Sequence, residues 1–181
     1  MTDTTGAFAA GAPLPKPPRS TPPDPHHLLS AYLDHYRDTV LRKLDGLPEA
    51  ELRRTRLPSG WTPLELLRHL ACVERRWLRW GFTAEPVEDP WADQDRGGRW
   101  HVPDGMTVAE VVADFRAQCA RSRRIAASAA LADRAAIGGR FTTEAEAPTL
   151  AWILFHVLQE YARHAGHLDI VRELADGAVG E

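Results

Sequence analysis

The chain has 181 residues, of which 44% are hydrophobic and 26% charged, and its formal net charge is −3 at pH 7. Such a chain forms one globular domain that buries its own core. The weak negative charge argues against a nucleic-acid partner, and no apolar run approaches the roughly 18 residues that a membrane span requires. The N-terminus lacks a signal-peptide pattern. Cys72 and Cys119 form no CxxC pair, so we expect a cytoplasmic protein without a disulfide framework.

Residues 1–25 are predicted to form a disordered, proline-rich tail. Prolines between Pro13 and Pro25 interrupt this segment too often for a helix or a strand. A proline-rich docking ligand is an alternative to a plain solvated tail. The ordered domain is predicted to cover residues 26–177.

The second of four predicted helices has the clearest start signal. Thr62 can cap the free backbone N–H groups, Pro63 suits the first helical position, and Glu65 completes a capping box. Apolar residues then recur at three- and four-residue steps until Gly81, where we expect the helix to end.

Three further helices are predicted over about residues 26–45, 107–132 and 149–175, from the same apolar periodicity. Thr107 and Glu110 form another capping box at the start of the third helix. The irregular stretch before it contains Trp91 and Trp100, and we expect it to pack over one end of the helices. The predicted fold is an all-α four-helix bundle.

The last helix carries a row of polar side chains. His156, Glu160 and His164 follow one another at four-residue steps, which puts them on one helix face, and His167 lies near that face. Such groups need partners, because burying one unpaired costs about 1–3 kcal/mol. A metal ion is one possible partner, since an i, i+4 pair can clamp a single ion. An ion pair or internal hydrogen bonds are the alternative.

A metal site needs a third ligand from another helix. His69, inside helix two among leucines, is the best candidate. Imidazole and carboxylate together suit zinc, iron, nickel or cobalt. A hydrogen-bonded core histidine is the alternative interpretation of His69.

Two segments carry a resemblance to a known family: residues 61–70, which read WTPLELLRHL, and residues 160–167, which read EYARHAGH. Over residues 27–176 the chain resembles the DinB-like superfamily of bacterial four-helix proteins. That superfamily includes the mycothiol-dependent maleylpyruvate isomerase and the bacillithiol transferases. The resemblance implies that His69, Glu160 and His164 bind one divalent metal, zinc or nickel above all, and leave coordination positions open for water or a thiolate.

The chain departs from the isomerase in two respects. The isomerase has an acidic residue three positions after its last ligand, where this chain has His167. It also carries a C-terminal domain that contributes to its active site, which these 181 residues do not include. Isomerase activity itself is therefore not expected.

The roles of several other residues stay open. His167 and His156 are candidate catalytic residues, because an imidazole gives and takes protons near neutral pH; contacts within the bundle are the alternative. Cys72 is either a fourth ligand or a buried inert thiol. The remaining histidines are expected at the surface: His26, His27, His35 and His101. An arginine cluster forms either a solvated helix face or a site for an anionic thiol: Arg121, Arg123 and Arg124.

The resemblance favours a metal-dependent thiol S-transferase that uses mycothiol or a similar thiol against an electrophile, in detoxification or a stress response. The same metal would alternatively activate water for hydrolysis. A non-catalytic metal-binding protein and a plain helical interaction bundle are the other hypotheses, because a fold does not fix a function. The six tryptophans suggest a homodimer that buries an apolar patch around helix two or the loop after it.

Overall fold

A computed structural model describes residues 16–19 and 24–179. The helices are α1 (Pro25–Leu44), α2 (Glu49–Leu52), α3 (Pro63–Glu74), α4 (Val108–Ala127) and α5 (Leu150–Asp176), and α3 continues as a π-helix over Arg75–Phe82. The described residues form no strand beyond two isolated β-bridges. The predicted all-α bundle is therefore confirmed, with one extra short helix. Most of the predicted tail, residues 1–25, lies outside the described residues.

The helices begin where their capping residues predict. Thr62 and Glu65 form a complete capping box at α3, and Thr107 and Glu110 form another at α4. At α5 the Thr149 side chain accepts a hydrogen bond from a first-turn backbone N–H group. These contacts satisfy N–H groups that have no partner within the helix.

Two helix ends differ from the prediction. The second helix does not stop at Gly81 but continues to Phe82, because π-helical bonds such as Thr83 N–H to Leu78 O (3.1 Å) carry it past the glycine. Helix α4 ends near residue 127 rather than 132. There the Ser128 hydroxyl donates to the Ile125 carbonyl at 2.9 Å and closes the last turn.

The four long helices surround one apolar core, with α5 packed along α1 and α3 packed along α4. Each contributes fully buried side chains, and the largest come from all four: Leu33, Leu66, Leu67, Leu70, Phe115 and Tyr161. No helix among the described residues is long and apolar enough to cross a bilayer. The core thus holds α3 and α5 side by side, which is what the polar cluster described below requires.

A buried polar network also links the helices. Glu74 accepts two hydrogen bonds from Arg37, at 2.8 and 3.0 Å, and one from the Tyr161 hydroxyl at 2.8 Å. Burial alone would raise the pKa of Glu74, but the charge and hydrogen bonds of Arg37 outweigh it and hold that pKa below its ordinary value. The ion pair joins α1 to α3, and the Tyr161 hydrogen bond joins α5 to both.

Candidate metal centre

Helices α3 and α5 bring His69, Glu160 and His164 together. Oε2 of Glu160 lies 3.2 Å from Nε2 of His164 and 3.7 Å from Nε2 of His69. One ligand atom from each of the three residues lies within 4.8 Å of the other two. The cluster predicted from sequence therefore exists as a geometric unit, with His69 and His164 buried and Glu160 half-buried.

The ring of His69 is held from two sides. Its Nδ1 lies 2.8 Å from Oδ2 of Asp93, and the indole of Trp100 stacks on it with 4.1 Å between ring centroids. Asp93 is fully buried and receives two hydrogen bonds from Arg76, at 2.5 and 3.2 Å. Because a carboxylate only accepts, Nδ1 of His69 carries a proton, and Nε2 of the same ring faces Glu160.

The ring of His164 is oriented by His167 and Trp100. The two Nδ1 atoms of His164 and His167 lie 3.2 Å apart, so one ring donates to the other. Trp100 meets the His164 ring edge-on at 5.2 Å, and Trp61 lies 5.9 Å from the ring of His167. His167 thus contacts the nitrogen of His164 that points away from Glu160.

The protonation states suit a cation site. Hydrogen bonds from His164 and His69 lower the pKa of Glu160 far below its usual range, so it is a carboxylate at neutral pH. Burial lowers the pKa of His164, although Glu160 partly opposes that shift. The cluster therefore presents one negative and at least one neutral ligand.

His156 lies beside the cluster between two indoles. Its ring stacks on Trp152 at 5.3 Å with an angle of 10° between the planes, and it lies 4.2 Å from Trp77. Its Nε2 lies 3.7 Å from Oε1 of Glu160. Burial lowers the pKa of His156, and Glu160 partly offsets that effect.

A cavity of about 580 Å³ lies near the cluster, although His69, Glu160 and His164 are not among the residues that line it. Trp61 and Trp100 belong both to its wall and to the shell around the histidines. The rest of the wall is largely polar and includes Ser59, Glu65, Asp95, Arg99 and His101. Its volume is within the range that small-molecule sites occupy.

The other sequence candidates lie outside the cluster. Cys72 is a buried free thiol whose pKa is raised to about 11, chiefly by burial, which favours the inert interpretation. Arg121 pairs with Glu85 and Arg123 with Asp34, as expected of a solvated helix face. Of the histidines expected at the surface only His27 is fully exposed; His26 and His101 are half-buried, and so is His35.

His35 is the clearest correction among them, because its Nδ1 is buried without a hydrogen-bond partner in the structure. Its position on α1 puts the ring against Tyr36 rather than in water.

Sequence reasoning did not identify Asp93 or assign a role to Trp100. Both lie in the long loop after the π-helix, where a Gln94–Trp100 bridge and a hydrogen bond from His101 N to Asp93 O (2.8 Å) form a small hairpin. The loop does pack over the bundle as predicted, although Trp91 stays 45% exposed. The only available signal was a pair of aspartates, Asp93 and Asp95, between two tryptophans in an irregular segment.

The helical bundle and its histidine and carboxylate cluster define a DinB-like protein with a possible metal-binding triad. The sequence profile named Mycothiol-S-transferase matches residues 28–177, and the chain belongs to this family. The DinB-like resemblance is thereby confirmed. A search among curated proteins finds no match to the chain.

Proposed function

We propose that this protein is a metal-dependent transferase that joins the sulfur of mycothiol to an electrophile, with His69, Glu160 and His164 as the protein ligands of one divalent ion. The observation that carries the proposal is the convergence of these three ligand atoms within 4.8 Å, behind Trp100, which also lines a cavity of about 580 Å³. The membership of the chain in the Mycothiol-S-transferase family supports the choice of thiol.

The donor set fits a divalent ion. Ligands about 2.0–2.2 Å from a tetrahedral zinc ion lie roughly 3.3 Å from one another, close to the 3.2 and 3.7 Å separations of Glu160 Oε2 from the two histidine nitrogens. Asp93 engages Nδ1 of His69, so Nε2, which faces Glu160, is the nitrogen left to bind an ion between the two residues. Zinc and nickel are the ions we propose, because both accept imidazole and carboxylate.

Each residue around the cluster has a distinct task in this proposal. When bound, the ion lowers the pKa of a coordinated thiol, so that thiolate forms near neutral pH. Asp93 holds the proton of His69 on Nδ1, which keeps Nε2 free to bind. Trp100 covers both histidine rings and excludes water from that side.

The proposed reaction converts a thiol and an electrophile with a leaving group into a thioether, a proton and the departed group. The new bond joins sulfur to the electrophilic carbon, and the leaving group takes its bonding electron pair. The thiol proton must leave the site, and we assign His167 and His156 as the candidate carriers. A cytoplasmic location suits this activity, since thiols stay reduced there.

The first test is metal content. Elemental analysis of the protein purified without chelators should give about one zinc or nickel ion per chain, and His164→Ala should lose it. His27→Ala removes an exposed histidine and serves as the matched control, with its metal retained. Full metal occupancy in His164→Ala would overturn the ligand set.

The second test is turnover. Mycothiol and chlorodinitrobenzene should yield a thioether with the wild-type protein, and His164→Ala should lose most of that rate. A protein that holds its ion but shows no rate with mycothiol against a panel of electrophiles would be a non-catalytic metal-binding protein.

A further inference from the structure

Two loops form the cavity near the metal centre. The loop before α3 contributes residues 58–61, and the loop after the π-helix contributes Asp95 and residues 98–101. The indoles of Trp61 and Trp100, one from each loop, stand in the wall with 6.1 Å between their ring centroids and 56° between their planes. The volume of about 580 Å³ is enough for a small organic molecule.

Both loops are held by their own hydrogen bonds. Oδ1 of Asp95 accepts from the backbone N–H groups of Gly97 at 2.7 Å and Arg99 at 3.0 Å. In the other loop the N–H of Gly60 donates to the Leu57 carbonyl at 3.0 Å, and the turn uses a φ of +84° that glycine adopts readily. The shape of the wall therefore does not depend on a ligand.

The wall offers polar groups that a ligand can use. Within the described part of the chain, the side chains of Ser59 and His101 make no hydrogen bond. Glu65 uses its Oε2 in the capping box of α3, where it accepts from the Thr62 N–H at 2.7 Å. A hydroxyl and an imidazole both donate and accept, whereas a carboxylate only accepts. The wall therefore presents donors and acceptors together.

The charges of the wall are already matched. Asp95 and Arg99 pair with each other at 3.3 Å. The carboxylate of Glu65 lies in the first turn of α3, where the positive end of the helix dipole stabilises it. A ligand without net charge therefore suits this cavity.

We infer that this cavity binds a neutral, polyhydroxylated ring, as found in sugars and cyclitols. Each hydroxyl of such a ring both donates and accepts, which matches the mixed groups of Ser59, Glu65 and His101. The C–H faces of the ring pack against indoles such as those of Trp61 and Trp100. A ring without hydroxyls would displace water from these polar groups and leave them unpaired, which costs binding energy.

The thiol of the proposed function carries a ring of this kind, because mycothiol joins its cysteine to a sugar and a cyclitol. The cavity adjoins the cluster through its two indoles: Trp100 stacks on His69 at 4.1 Å, and Trp61 lies 5.9 Å from the ring of His167. We therefore assign the bound ring to the thiol cosubstrate. This assignment rests on the proposed function; the polyol site itself does not.

The cyclitol myo-inositol tests the site without turnover. Titration of the full-length protein, followed by NMR, should show inositol binding, and cyclohexanol, the same ring with one hydroxyl, should bind at least tenfold more weakly. Trp61→Ala should weaken inositol binding at least tenfold. Glu65→Gln should weaken it at least threefold while keeping the helix cap, since glutamine also serves in a capping box. Trp152→Ala, at a 52% exposed position outside the cavity, is the control and should bind inositol as the wild type does.

Three results would overturn the site: no inositol binding by the wild type, cyclohexanol binding as tight as inositol binding, or unchanged inositol affinity in Glu65→Gln. The link to the thiol has its own measurement. With mycothiol and chlorodinitrobenzene, inositol at its dissociation constant should about double the KM for mycothiol and leave kcat unchanged. Inositol that binds without changing this KM would reject the link and leave the site standing. Absence of any turnover would refute the proposed function and with it the link, while inositol binding would still decide the site.

Discussion

Nδ1 of His69 and Oδ2 of Asp93 lie 2.8 Å apart, although 24 positions separate the two residues in the chain. The contact joins helix α3 to the long loop that follows the π-helix. It determines which nitrogen of His69 carries the proton and therefore which nitrogen faces Glu160. Arg76 completes the arrangement by holding the carboxylate from its other side.

Replacing Asp93 by Asn should weaken metal binding by about 10–100-fold, because the partners that orient a ligating histidine contribute on that scale. The amide keeps the shape but removes the charge that fixes the His69 tautomer. Competition with a zinc chelator measures the affinity. Asp95→Asn changes a half-buried loop aspartate that pairs with Arg99, and it should leave the affinity unchanged. Equal affinity in Asp93→Asn and wild type would mean that His69 does not depend on this contact.

Replacing His167 by Ala should leave the metal in place and lower the thiol-dependent rate. His167 touches the Nδ1 of His164, the nitrogen remote from Glu160, so it orients a predicted ligand without being one. Elemental analysis shows whether His167 is a metal ligand, and steady-state rates show whether it orients His164 for the reaction. His167→Gln should recover part of the rate, because it restores a hydrogen-bonding group. Outright loss of the metal from His167→Ala would instead make His167 part of the ligand set.

The buried network around Glu74 should contribute to stability against acid. Glu74→Ala leaves the buried Arg37 with only the more exposed Asp34 as an anionic partner and should cost about 3 kcal/mol of unfolding free energy, and Tyr161→Phe should cost about 1–3 kcal/mol. Glu85→Ala, in the loop after the π-helix, removes a partly exposed ion pair with Arg79; it is the control and should cost less than about 1 kcal/mol. Chemical denaturation at neutral pH measures all three.

The sign of the pH dependence follows from the lowered pKa of Glu74. The stabilisation by this carboxylate is fully present above its ordinary pKa of 4.5 and is lost as the pH falls through the lower folded-state value. The wild-type protein should therefore lose stability on acidification below about pH 4.5, and Tyr161→Phe should shift that loss to higher pH. A Tyr161→Phe variant with an unshifted acid transition would contradict this account.

We predict a homodimer, and the structure suggests α5 as the contact rather than the second helix. Trp152 and Phe155 of α5 are 52% and 61% exposed, and with Tyr32 and Tyr36 they line an apolar groove of about 560 Å³. Phe155→Glu should then yield a monomer in light scattering, whereas Ile137→Glu, at an exposed loop position, should not. A wild-type monomer at high micromolar concentration would refute the dimer.

The local features of this protein were readable from sequence because each depends on residues three or four positions apart. The capping boxes at Thr62 and Thr107 and the common face of His156, Glu160 and His164 belong to this class. The choice of His69 as third ligand needed the family resemblance as well, since a lone histidine in an apolar helix has no periodic signature. The ligand set itself stays a prediction until the metal is measured.

The tertiary structure alone decided which side chains surround the cluster. Asp93 and Trp100 come from an irregular loop without periodicity, and only the packing of that loop on the bundle puts them against His69. Two further features had no signal in the sequence: the π-helix that includes Gly81, and the contact of Arg140, in the loop before α5, with the ring of Trp77. Caps and helix faces depend on the geometry of a single turn, whereas these contacts depend on how segments far apart in the chain fold onto one another.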